Sequence, residues 1–331
     1  MLADAPPPAV PSLSSIQLAG QRVVFAFSGT EIPSNLRLRI QRGEAAGVLL
    51  FGENVQSISQ VRKLTRDLQA IHRPAGLNVP LVVMTDQEGG QVKRLPGSPT
   101  KAPPQMHSPA EAQAQGRATA ATLTAAGVNV DLAPVVDVER PGSEMEKEGR
   151  SFGRTPGTVS KRAGGFVAGL RAGGVAATAK HFPGFGAASA NTDNARVVIR
   201  SPLSTLRTVD EPPFIGSGAQ LVMLSSAIYP ALDDQPALLS RRIATTELRG
   251  HLGFTGVTVT DSLNATALVG RRDVVLRAAQ APGDLLLFTT YLSSARAVES
   301  LARDLRAGRL DRTQAESSVA RVLALRKSLR R

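Results

Sequence analysis

From about Ile16 onward, short apolar runs alternate with longer stretches in which apolar residues recur at three- and four-residue steps. The short runs lie at 21–28 (QRVVFAFS), 47–52 (GVLLFG), 81–88 (LVVMTDQE) and 128–137 (VNVDLAPVVD). Four more follow at 175–184 (VAATAKHFPG), 221–230 (LVMLSSAIYP), 256–263 (GVTVTDSL) and 283–290 (GDLLLFTT). Each is too short for a helix and apolar on both faces, as a buried parallel strand is. In residues 57–71, Ile58, Val61, Leu64, Leu68 and Ile71 fall on one helical face. Residues 109–126, 159–171, 242–252 and 293–305 also read as helices, the first opened by Ser108 as N-cap and Pro109 at the first helical position. Strand–helix alternation repeated eight times predicts an α/β fold, a (β/α)₈ barrel. A doubly wound open sheet is the alternative, but no GxGxxG follows the first strand.

Length agrees with that reading. The chain has 331 residues, of which 42% are hydrophobic, and a barrel needs roughly 250 residues or more. One barrel domain over residues 15–331 is expected, after a Pro-rich tail or spacer over 1–14 (MLADAPPPAVPSLS). That start has neither the basic nor the apolar region of a signal peptide. No apolar run reaches the roughly 18 residues of a membrane helix. Cys is absent, which excludes thiolate catalysis, Cys-ligated zinc and disulfides. The four His residues show no HxxxH or HxH spacing, which argues against a His-rich metal site.

The net charge of +12 favours polyanionic partners. The basic residues are scattered, however, and there is no Trp and only two Tyr. Stacking platforms for nucleic acid are therefore scarce, and no nucleic-acid partner is expected. An anionic cell-wall polymer is the contact that this charge would suit. The Pro-rich start and missing Cys lean toward a secreted or cell-envelope protein, with the cytoplasm as the alternative.

Candidate chemistry collects where barrel enzymes keep it, at the C-terminal ends of strands. The third run ends in Asp86-Gln87-Glu88-Gly89-Gly90 and the fourth in Asp137. The fifth ends in Lys180-His181-Phe182-Pro183-Gly184 and the seventh in Asp261-Ser262. Taken singly, an Asp can cap a helix and a Lys can pair with a buried carboxylate. Four polar strand ends converging on one face are harder to explain that way. Met223, at the end of the sixth run, reads as pocket wall.

KHFPG at 180–184, DQEGGQVKRL at 86–95, GRSFG at 149–153 and VTDSL at 259–263 resemble family 3 glycoside hydrolases. Within that family the chain is similar to single-domain bacterial β-N-acetylglucosaminidases acting on peptidoglycan-type sugars, in motif order and spacing from about residue 15 to 331. The resemblance implies a retaining hydrolase of β-linked (N-acetyl)hexosaminides with Asp261 as nucleophile, and no metal or organic cofactor. Asp86, Arg150, Lys180 and His181 match positions that hold sugar hydroxyls. A carboxylate and basic donors suit hydroxyls, which both donate and accept. Asp261 must be ionised to attack, so a cation such as Lys180 is expected to hold its pKa down. Gly89 and Gly90 are expected to let the backbone turn closely beneath the sugar.

One loop departs from the family pattern. The family reads KHFPGHG, four residues, then Asp-Ser-His, with the Asp–His pair as acid/base dyad. This chain reads KHFPGFGAASANTDNA, so Phe185 stands at the glycine-flanked His, Asn191 at the dyad Asp, Thr192 at the Ser and Asp193 at the His. Three readings remain open here. Asp193 is itself the acid/base, as a carboxyl is in most retaining glycosidases. Hydrolysis has been lost and the protein binds glycans. Or the acid comes from Glu144, Glu146 or Glu148, in a stretch that otherwise reads as a solvated charged loop.

Overall fold

The computed structural model describes residues 11–281 and 283–330. All eight apolar runs contain strands of one parallel sheet: β1 (Val23–Phe25), β2 (Gly47–Leu49), β3 (Val82–Thr85), β4 (Val130–Asp131), β5 (Ala176–Phe182), β6 (Leu221–Leu224), β7 (Val257–Thr260) and β8 (Leu286–Leu287). The sheet runs β7-β6-β5-β4-β3-β2-β1-β8. A parallel bridge between Val259 and Leu285 joins its two ends, with Thr260 N donating to Leu285 O at 2.9 Å. The result is the expected (β/α)₈ barrel, and closing it leaves no edge strand unpaired.

Each strand leads into a helical segment of the outer ring, and the caps explain where those segments begin. Ser57 opens Ile58–Ala70 and Ser108 opens Pro109–Ala126, each accepting a bond from a first-turn N–H at 3.1 Å. Gly127, at φ 75°, closes the second of these. The helix expected from residue 159 starts earlier, as Pro156–Ala172, because Thr155 caps it and Pro156 occupies its first turn. The stretch Arg242–His251 is helical where expected, but it winds in wide π-type turns. Ser34–Gln41, the seven-residue Val274–Gln280 and Arg312–Ser328 are helices that the apolar pattern did not mark. The C-terminal helix Arg312–Ser328 contributes Val322 and Leu325 to the apolar cluster that fills the barrel.

Inside the barrel, alternate residues of each strand point inward. Val82 and Met84, Leu221 and Met223, Val257 and Val259, and Leu285 and Leu287 belong to that interior cluster. Val83, Val222, Leu224 and Leu286 instead pack outward against the helices. Continuing the alternation one step up β3, β5 and β7 brings Asp86, Lys180 and Asp261 to the inner face. Leu49, Leu132, Met223 and Leu287, from the even-numbered strands, supply the apolar floor on which these stand. Layers drawn alternately from odd and even strands are the usual packing of such barrels. Of the tail expected over residues 1–14, residues 1–10 lie outside the described residues, while Ser14 caps the short helix Ser15–Gly20. No helix among the described residues is long and apolar enough to cross a membrane.

Candidate active site

A cavity of about 380 Å³ opens at the C-terminal mouth of the barrel. Seven residues singled out in the sequence line it: Asp86, Arg150, Lys180, His181, Asp193, Met223 and Asp261. Its size lies in the ordinary range for small-ligand sites.

The floor carries a chain of ion pairs. The buried Lys180 ammonium lies 2.8 Å from Asp86 Oδ1 and 2.6 Å from Glu88 Oε1. Arg150 grips Glu88 bidentately at 2.8 Å through Nε and Nη2, and its Nη1 reaches Glu148 Oε2 at 2.7 Å. Arg94 closes the outer end, 4.0 Å from Asp86. Burial opposes the charge on Glu88, but Lys180 and Arg150 outweigh it and hold that carboxyl at about 2. Burial likewise opposes the charge on Lys180, yet Asp86 and Glu88 raise its pKa, so it stays protonated. The cation expected beside Asp261 is therefore engaged elsewhere: Lys180 pairs with Asp86 and Glu88, and among the described residues Asp261 has no ion pair. Its Oδ1 accepts a bond from Ser262 N at 2.7 Å.

His181 is held from behind. Its Nδ1 lies 2.8 Å from Asp137 Oδ2, and its backbone N donates to Asp137 Oδ1 at 3.1 Å. Phe185 N donates to the same oxygen at 2.6 Å. The Asp137 carboxylate at Nδ1 fixes the orientation of the imidazole, as such second partners do. Phe185, at the position of the family's glycine-flanked His, packs its ring 5.6 Å from that imidazole.

Asp193 sits on the exposed tip of the loop after β5, at the mouth of the cavity. Partial desolvation of the carboxyl at the cavity mouth first, and the Asp261 carboxylate second, raise its pKa above the usual aspartate range, although the residue as a whole is exposed. The loop is stitched to its neighbours. Arg140 N donates to Gly186 O at 3.0 Å, Glu144 N to Ala188 O at 2.9 Å, and Ala267 N to Thr192 O at 3.1 Å. Gly186 is required here, because a Cβ would stand 1.9 Å from Val138 O. At the tip, Asn191 Nδ2 donates to Glu148 Oε1 at 3.3 Å, and Asn191 Oδ1 accepts from Asp193 N at 2.9 Å.

Of the three glutamates in the charged stretch, Glu148 alone lines the cavity, and it is tied to Arg150. Glu146 pairs with Arg154. Gly89 and Gly90 do adopt positive φ, 101° and 61°, but they serve a different approach from the one expected. A Cβ on Gly89 would meet Lys101 O at 2.5 Å, and one on Gly90 would meet Ala102 Cβ at 2.9 Å, so the close contact is with the 99–102 segment. Glu88 and Arg94 lay within the DQEGGQVKRL motif but were given no role, and Asn264, Phe51 and Phe288, which complete the wall, carried no motif.

Carboxylates and fixed cations gathered at the C-terminal mouth place this chain among the (β/α)₈ barrels that keep their chemistry at that face. The comparisons make this specific: the chain belongs to the glycosyl hydrolase family 3 N-terminal domain family, whose profile matches residues 16–325. It is 36% identical over 348 residues to an uncharacterized secreted glycosyl hydrolase of Arthroderma benhamiae, covering 99% of this chain and 97% of that one. The β-N-acetylhexosaminidase of Beutenbergia cavernae superposes with a TM-score of 0.87 at 31% identity, over 95% of this chain and 99% of that one. The family 3 β-N-acetylglucosaminidase of a Paenibacillus species gives 0.89 at 32% identity, over 96% of this chain. This chain spans 63% of that longer enzyme.

Proposed function

We propose that this chain is a retaining β-N-acetylhexosaminidase in which Asp261 is the nucleophile and Asp193 the acid/base. The Asp261 carboxylate attacks the anomeric carbon and forms a glycosyl ester. The bond to the aglycone oxygen breaks as that oxygen takes the Asp193 proton. The Asp193 carboxylate then takes a proton from water, which attacks the anomeric carbon and frees Asp261. Asp86, Lys180, Arg150 and His181 hold the sugar hydroxyls, with Asp137 fixing the imidazole and Met223 under the ring.

One observation carries this reading: two carboxyls line the same cavity, and the charge of Asp261 helps to keep Asp193 protonated. A carboxyl kept neutral by its surroundings next to a second carboxylate suits the pairing of an acid with a nucleophile. An amino sugar as substrate is supported by the Paenibacillus and Beutenbergia enzymes, which are described as acting on such sugars. Work on cell-wall glycans outside the cytoplasm is supported by the secreted Arthroderma relative and by the net charge of +12.

The test is 4-nitrophenol release from the β-N-acetylglucosaminide and the β-glucoside, with Asp261→Asn run beside the wild type. The expected result is turnover of the amino sugar, lowered by at least ~10³ in the variant, with N-acetylglucosamine binding by calorimetry preserved. Sugar binding without a burst or turnover in the wild type would replace the enzyme by a non-catalytic glycan-binding protein.

A further inference from the structure

Away from the cavity, the Glu211 side chain is completely buried, and neither of its carboxylate oxygens receives a hydrogen bond from a described residue. A buried carboxylate without a donor is costly, and proteins relieve that cost by protonating the group, by pairing the charge or by giving it to a metal ion. Glu211 faces the buried Glu247 and the exposed His251, one ligand atom of each lying within 4.8 Å of the others. Among the described residues this is the one place where three such side chains converge. The sole nearby cation, Arg207, is committed to Glu247, its Nε 2.6 Å from Oε1 and its Nη2 3.0 Å from Oε2. Burial and the facing Glu247 raise the Glu211 carboxyl to about 8, so near neutral pH the two carboxyls share a proton, which an arriving cation would displace.

We propose that Glu211, Glu247 and His251 form a binding site for a divalent transition-metal ion, with Zn²⁺ as the probe. The donor set argues for this class: carboxylates alone suit Mg²⁺ or Ca²⁺, whereas adding an imidazole shifts the preference toward Zn²⁺, Co²⁺ or Ni²⁺. Around a tetrahedral ion with bonds of about 2.1 Å, ligand atoms lie roughly 3.4 Å apart. The cluster must therefore contract by about 1.4 Å at most, a movement that rotation of the exposed His251 side chain supplies. Each Glu247 oxygen keeps a lone pair beyond its bond to Arg207, and water can complete the coordination from the His251 side. The ion would clamp two segments of the outer ring, the one leading into β6 and the helix leading into β7, the strand that delivers Asp261.

The experiment is calorimetric titration of the chelator-treated full chain with ZnCl₂, with thermal melting in parallel. One saturable site and a raised Tm are expected. Glu211→Gln and His251→Ala should each weaken binding by roughly tenfold or more and abolish the Tm rise, whereas Asp193→Asn and Asp261→Asn should leave both in place. Because His251 is exposed, His251→Ala folds whatever the fate of the Glu211 variant. Absence of saturable binding, binding unchanged in His251→Ala, or binding lost in the active-site variants instead would each overturn the site.

Discussion

Asp193 is one carboxyl asked to do what an Asp–His pair does in the family pattern, and its surroundings supply the needed shift in pKa. Burial and the Asp261 charge both favour its neutral form. If it is the acid, kcat falls as pH rises through its raised pKa, and Asp193→Asn removes that limb of the profile. In Asp261→Asn the neighbouring negative charge is gone, so the Asp193 pKa moves down; an NMR titration of its carboxyl carbon reads this directly, and an unmoved pKa would separate the two residues. Glu88 has the opposite sign. Its carboxyl sits at about 2 against an ordinary 4.5, so its ion pairs stabilise the fold fully above pH 4.5, and that contribution is lost as pH falls toward 2. Glu88→Gln should cost about 3 kcal/mol in urea unfolding at pH 7, because Lys180 and Arg150 each lose a buried partner. The deficit should shrink below pH 4.5; a deficit equal at all pH values would mean that lost packing, not charge, is responsible. Asp86, Lys180 and Asp261 were legible as polar ends of apolar strands. Glu88 was not, because its partners stand 62 and 92 residues away in the chain and no local pattern marks such a pair.

Among the elements, the loop after β5 decides whether Asp193 arrives over the sugar. Its backbone is fixed to the connections after β4 and β7, and Asn191 ties its tip to Glu148. Asn191→Ala should therefore lower kcat by about 10²-fold with KM little changed, since a misplaced acid costs rate rather than affinity. A raised KM with kcat unchanged would instead mean that the loop binds the substrate. Counting along the sequence put Asn191 and Asp193 in the right register, yet Glu148 read as part of a solvated charge run. That residue owes its place at the cavity to its neighbours, Arg150 and Asn191. Strands were legible because parallel strands are apolar on both faces, and the start at Pro109 because Ser108 caps it locally, whereas the caps Thr155 and Thr290 were missed and their helices begin two or three residues earlier than expected. The wide turns of Arg242–His251 were not, because Ile243, Ala244 and Leu248 satisfy an ordinary helical period as well. The Glu211–His251 pairing joins two connections and left no spacing to read.

For the whole molecule, closure of the barrel between β7 and β8 and an excess of 12 positive charges set the terms. An anionic wall polymer is the partner proposed for that charge. Retention on purified cell wall should fall steeply between about 0.05 and 0.5 M salt, as screening shortens the reach of surface charges. Retention that ignores salt, or none at low salt, would remove that partner. The layering inside the barrel has an evolutionary corollary. Asp86, Lys180 and Asp261 stand on odd-numbered strands and the apolar floor on even-numbered ones, so the groups at the reacting centre and the depth of the sugar pocket are encoded by different strands. Replacing Met223 or Leu49 with smaller or larger residues resizes the pocket without touching a charged pair. A lineage can thus change the sugar it admits by drift in one set of strands while the chemistry is inherited intact in the other.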